Sequence, residues 1–181
     1  MKNTVKQFDI GPSNTQISVL SFSDHVYKEF KLNQYSTKNA VLSAISKIKF
    51  HTGTTNTHLA LSQVTQDSFS STNGGRQDAA EIVILLTDGQ STNPSQTLQE
   101  AAKLHNAGPE VIAIGVGDGP NTKELNQIAT DSHHVFQVAN FDALATLQTE
   151  LEKTACRTNG KYVYYVIVDG HTLSKTRSNK Q

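Results

Sequence analysis

The sequence predicts an α/β fold: a mostly parallel sheet with helices on both faces and an antiparallel hairpin at one edge. Three observations point there. Glu81 to Ser91 holds five consecutive apolar residues, Ile82 to Leu86, running into the acidic, hydroxyl-rich turn Thr87-Asp88-Gly89, and an unbroken Ile/Val/Leu run is the mark of a parallel strand covered on both faces. Around it, strand-like and helix-like segments alternate, which favours a parallel sheet built from crossover units. Near the start, Ile17 to Phe22 and Val26 to Phe30 are β-rich runs separated only by Ser23, Asp24 and His25, the pattern of a hairpin.

The remaining elements follow from spacing. In Thr37 to Ile48 the residues Val41, Ala44, Ile45 and Ile48 recur at three- and four-residue steps, one face of an amphipathic helix. A second helix opens near Thr57 with Leu61 and Val64 inward, and Ser68 to Asp78, rich in Ser, Gly, Asn and Thr, reads as a loop. After the Ile82 strand, Asn93 and Pro94 take N-cap and first-turn positions, Leu98, Ala101, Ala102 and His105 keep helical spacing, and Gly108 closes the helix. Val111 to Val116 is a strand, Asn121 to Ala129 a short helix and His134 to Val138 a strand. Phe141 to Cys156 is a helix with Leu144, Leu147 and Leu151 inward. Tyr162 to Val168 is the most strand-prone run of all and leads into Asp169-Gly170, followed by a basic, polar tail.

Bulk properties exclude several classes. The 181 residues, with 16 Lys+Arg against 16 Asp+Glu, fit one domain of ordinary size with its own core. Zero net charge and no basic stripe leave out the electrostatic footprint of a nucleic-acid binder. No apolar run approaches the roughly 20 residues that span a bilayer, and Met1 to Phe8 has no apolar signal core. The single Cys156 is either a free thiol or pairs outside this chain. Seven histidines show no metal-ligand spacing such as His-Glu-x-x-His, so a zinc hydrolase is not expected and they read as surface or turn residues. Gly115, Gly117 and Gly119 follow a strand, but Pro120 stands where a third phosphate-loop glycine would fall, and there is no Gly-x-Ser-x-Gly elbow.

Several segments together resemble a known family, in its order: Phe8 to Pro12, Gln16 to Asp24, Gly-Thr-Thr-Asn-Thr-His-Leu-Ala-Leu at 53 to 61, Leu-Leu-Thr-Asp-Gly-Gln-Ser at 85 to 91 and Ala-Ile-Gly-Val-Gly at 113 to 117. His-Val-Phe, Asn-Phe-Asp-Ala-Leu and Ala-Cys-Arg extend the match to about Arg157. The family is the von Willebrand factor A domain, kin of the integrin I domain. The resemblance implies a doubly wound, Rossmann-like sheet with one antiparallel edge strand. It also implies a divalent cation, Mg²⁺ with Mn²⁺ or Ca²⁺ as alternatives, in a metal-ion-dependent adhesion site at the carboxyl end of the sheet. By motif matching Thr55 and Asp88 are two members of that site. Family members open with a central strand ending in Asp-x-Ser-x-Ser, and that strand is missing here. Residues 1–157 therefore read as the domain without its first strand, and 158–181 as a carboxyl-terminal strand and polar tail.

Val163 to Asp169 is apolar and then acidic, as the missing strand should be, and makes Asp169 the third candidate metal ligand. Thr172 and Ser174 follow it one residue late, with His171 and Leu173 where the motif has serines. A permuted domain, with this strand in the vacant central slot, and a second, cut-off domain beginning at Tyr162 are both open, and only the first brings Asp169 near Asp88. Plainer roles stand beside each candidate: a turn cap for Asp88, a helix cap for Thr55, an Asp-Gly turn for Asp169 and a helix cap for Ser91. The expected function is a non-enzymatic adhesion or ligand-binding module. Its partner would be a protein offering an acidic side chain, or a matrix protein such as collagen, in an extracellular or secreted setting, as the Ala-Cys-Arg ending of similar extracellular members implies. The alternatives are a nucleotide-binding α/β enzyme using the glycines at 115 to 119, and a structural fragment without metal.

Overall fold

The structure, a computed structural model, describes residues 8–49, 51–140, 143 and 162–170. The expected helix at 141–156, Cys156, and residues 171 to 174 lie outside the described residues, residue 143 excepted. Six strands form one sheet: β1 Gln16–Phe22, β2 Val26–Phe30, β3 Ala80–Thr87, β4 Glu110–Val116, β5 Val135–Val138 and β6 Tyr162–Asp169. Their order is β2-β1-β6-β3-β4-β5. Among the described residues only the β1–β2 hairpin is antiparallel; the other strand pairings are parallel.

β6 lies between β1 and β3, in register from Gln16↔Val163 to Phe22↔Asp169 on one side and from Ala80↔Tyr162 to Leu86↔Val168 on the other. Side chains alternate across a strand, and the core divides accordingly. One face gathers Ile17, Val19, Ile82, Ile84, Tyr164 and Val166 with Val41 and Ile45 of α1 (Lys38–Lys47). The other gathers Leu20, Val83, Leu85, Val163 and Ile167 with Leu61 of α2 (Thr57–Gln63) and Leu104 of α3 (Pro94–Ala107). Burying each such aliphatic side chain is worth roughly 1.5–3 kcal/mol, so β6 is a core element.

The helices begin and end where local chemistry dictates. Thr37 and Asn93 cap α1 and α3 by accepting the Ala40 and Gln96 amides, and Asn121 accepts two amides at the head of α4 (Thr122–Ile128). Gly108 ends α3 at φ 101°, a left-handed conformation that glycine adopts without cost. The buried face of α3 differs from the spacing expected: it carries Thr97, Ala101 and Leu104, while Ala102 faces solvent and Leu98 is 43% exposed. The apolar steps from Leu98 fit a helix, but they do not fix its rotation. A hydrogen bond between the hydroxyls of Thr97 and Ser91, 2.6 Å apart, turns the Thr97 face inward.

Among the histidines read as surface or turn residues, His134 is a buried turn residue. His134 is 9% exposed, in the short 3₁₀ turn Ser132–His134 before β5. Its ring nitrogens meet Asp131 Oδ1 at 2.7 Å and Glu110 Oε1 at 2.5 Å.

Candidate functional site

Three chain segments meet at the carboxyl end of β1, β6 and β3. The first, 51–56, carries Thr55 and is pinned from the hairpin. Asp24 Oδ1 accepts the Thr54 amide at 2.8 Å and its hydroxyl at 2.6 Å, and Asn56 Nδ2 donates to the Asp24 carbonyl at 3.3 Å. Those bonds from Thr54, side chain first and then backbone, hold the Asp24 carboxyl below its ordinary 3.8. Thr55 is also tied to the next loop: its amide donates to Thr92 Oγ1 at 3.0 Å, and the Thr92 amide returns to the Thr55 carbonyl at 2.9 Å.

The second segment is the turn after β3. Ser91 Oγ accepts the Asn93 amide at 3.3 Å, bracing the turn, while the cap of α3 is Asn93 itself. The Ser91 amide donates to Glu124 Oε1 at 3.0 Å. Burial raises the Glu124 carboxyl above its usual range, and the Ser91 amide offsets part of that rise.

The third segment is the end of β6. Asp169 is 0% exposed. Its Oδ2 accepts from Thr87 Oγ1 at 3.1 Å and from Thr55 Oγ1 at 3.3 Å. Thr87 Oγ1 has one proton, which Asp169 Oδ2 and the Gly89 carbonyl, also at 3.1 Å, share as acceptors, while the hydroxyl oxygen accepts the Gly89 amide at 3.3 Å. Asp88 stands between these groups in sequence, with its Oδ2 buried. A Cβ at Gly89 would lie 3.4 Å from Thr55 Oγ1, which places the Asp88-Gly89 turn against the Thr55 loop. Gly170 passes so near the His51 and Phe22 carbonyls that a Cβ would lie 2.2 and 3.1 Å from them.

Thr55 and Asp169 are thus in direct contact, and the Asp88 turn borders them. Sequence reasoning missed Thr87 and Asp24. Thr87 belongs to the quoted Leu-Leu-Thr-Asp-Gly motif, which was a usable signal; Asp24 closes the quoted segment from Gln16 and reads as a hairpin residue, and nothing local in it names Thr54 as its partner. Gly115 and Gly119 answer to packing, since a Cβ at Gly115 would strike Leu125 and Pro120 and one at Gly119 the Asp88 carbonyl, and Gly117 answers to its left-handed φ of 76°.

The donors are carboxylate and hydroxyl oxygens, the set a hard dication takes together with waters. A buried carboxylate is costly unless compensated, and a cation beside Asp169 would add compensation to its two hydroxyl contacts. Among the described residues no group of three or more His, Cys, Asp or Glu could hold a metal ion.

The sequence profile of the von Willebrand factor type A domain matches residues 1–150. The chain is 35% identical over 161 residues to the transmembrane cell adhesion receptor mua-3 of Caenorhabditis elegans, covering 86% of this chain and 4% of that protein. It is 38% identical over 157 residues to the mouse collagen alpha-4(VI) chain, covering 86% and 6%. Among solved structures, proximal thread matrix protein 1 of the mussel byssus, with a zinc-occupied MIDAS motif, superposes with a TM-score of 0.80 at 36% identity, covering 86% of this chain and 41% of that one. The chain therefore spans a small fraction of the two longer relatives and about two fifths of the mussel protein. On the strength of that profile and these identities, it belongs to the von Willebrand factor type A domain family.

Proposed function

We propose that this chain is a non-enzymatic adhesion module that binds a protein partner through a divalent cation at the carboxyl end of its sheet. The observation that carries the reading is the convergence of the Thr55 and Thr87 hydroxyls on the buried Asp169 carboxylate, beside the Asp88 turn. Asp169, Asp88 and Thr55 would hold the cation, with Thr87 orienting Asp169 from below. Bound there, a hard dication supplies concentrated positive charge and an open coordination position, to which a glutamate or aspartate of the partner can bind.

Within this reading β6 takes the place of the family's first strand, so that 1–157 and 158–181 make one domain between them. The partner is a protein of the matrix, such as a collagen, and the setting is extracellular. Support comes from the names of the relatives, a cell adhesion receptor and a collagen chain, and from the zinc-occupied MIDAS motif of the mussel protein.

Calorimetric titration with Mg²⁺ and Mn²⁺ tests the proposal. The expected result is saturable binding that Asp88→Ala and Asp169→Ala each abolish while circular dichroism shows a folded chain. Loss in Asp88→Ala alone would remove Asp169 from the ligand set, and a wild-type chain silent to both ions would overturn the cation reading.

A further inference from the structure

We infer that Arg76 is a positioning residue for the cation site and that β6 is a latch linked to cation binding, held at one end by Arg76 and at the other by the oxygen cluster. The inference rests on the cation reading above and adds a means of regulating that site.

Arg76 sits in the turn before β3. Its Nη1 donates to the Pro12 carbonyl at 2.8 Å, and its Nη2 donates to the Asn14 carbonyl and, at 3.4 Å, to the carbonyl of Tyr162, the first residue of β6. One guanidinium therefore ties the chain entering β1 to the start of β6, and its fixed fork of donors suits that task in a way a lysine cannot. The opposite end of β6, seven residues on, lies about 23 Å away at the usual strand rise. There Asp169 meets Thr55 and Thr87, and Gly170 passes a gap between the His51 and Phe22 carbonyls too narrow for any side chain.

Register joins the two ends. A slip of one residue would turn every side chain of β6 to the opposite face; it would also withdraw the Asp169 carboxylate from both threonines and bring a residue other than glycine to the narrow gap. Only the strand seated in its observed register presents Asp169 to the site. A cation that uses Asp169 then binds the seated state better than any unseated one, and linkage requires the reverse effect: whatever loosens seating weakens cation binding.

The test measures Mn²⁺ affinity by calorimetry and backbone hydrogen exchange by mass spectrometry on the full chain. Arg76→Met, Arg76→Lys and Val138→Ala are compared with wild type, the last being a core truncation on β5, three strands from β6. Mn²⁺ is expected to slow exchange in 162–168 more than in β5. Arg76→Met should raise the apparent Mn²⁺ dissociation constant by about fivefold, the factor reached when one chain in about five keeps the strand seated. Arg76→Lys should recover part of it, and Val138→Ala should leave it unchanged. Should Arg76→Met not fold, the wild-type exchange measurement decides alone. Mn²⁺ binding with β6 exchange unaltered would overturn the latch and leave the cation reading standing. Absence of Mn²⁺ binding in wild type would overturn both.

Discussion

Thr87 and Thr55 differ in how much each matters to Asp169. Thr87 is buried and Thr55 half-buried, so water can replace the Thr55 hydroxyl more readily than the Thr87 one. Thr87→Val keeps the side-chain volume and removes the donor, leaving a carboxylate oxygen of a fully buried aspartate short of a partner. The expected cost is about 1–3 kcal/mol in urea denaturation, with Thr55→Val costing less; equal losses would refute the ranking. The same two residues show how far single positions were legible. Thr55 stands in a motif that names it. The partnership of Thr87 with Asp169 joins residues 82 apart, and the staple from Asp24 to Thr54 joins residues 30 apart. Such pairings depend on which loops the sheet brings side by side, and local spacing carries no record of that.

At the scale of elements, the strands and helices that fall within the described residues were legible in kind and nearly in extent, because burial on both faces and helical periodicity are local signals. Their faces and accessory turns were less so. The burial of Thr97 instead of Leu98 goes with a hydroxyl partner, Ser91, that lies outside the helix, and the turn at 132–134 is organised by a side chain whose two acidic partners local spacing does not show. Burial alone would lower the His134 imidazole, but hydrogen bonds to Asp131 and Glu110, with their charges, outweigh it and raise the group above its ordinary 6.5. The Asp131 carboxyl is held below its ordinary 3.8, chiefly by the His134 hydrogen bond. The signs define a window. The His134 contribution is complete below about 6.5 and is lost as pH rises through its elevated folded value; the Asp131 contribution is complete above about 3.8 and is lost as pH falls through its depressed one. The pair should therefore support the β4–β5 edge best between those limits. Wild-type stability measured by urea at pH 6 and pH 8 should fall across that interval by more than in His134→Gln. His133→Gln, altering the neighbouring exposed ring, should behave as wild type, and parallel profiles for wild type and His134→Gln would refute the clamp.

For the whole molecule, alternating strands and helices made the α/β class readable, while the position of β6 was not, since a permuted domain and the opening of another domain predict the same local strand. Non-local pairing settles its place between β1 and β3, and the order of the sheet suggests a direct experiment on the proposal that β6 replaces a first strand. Phe8 stacks near Tyr164, with ring centroids 4.6 Å apart, close to the amino end of β6, whereas Gly170 lies at its carboxyl end. In a permutant carrying residues 158–181 ahead of Met1, residues 171–181 and 1–7 would have to join those two points, and together they make 18 residues. As an α-helix 18 residues run about 27 Å, close to the roughly 26 Å of an eight-residue strand, so the join can span the sheet without forcing β6 from its slot. That permutant should retain the circular dichroism spectrum of the parent, unfold in one cooperative step, and bind Mn²⁺ with unchanged affinity. If β6 were foreign to the domain, moving it would cost the fold nothing, and deleting 158–181 would cost nothing either. A permutant that folds beside a deletion that does not is therefore the result expected of a single domain whose central strand comes last.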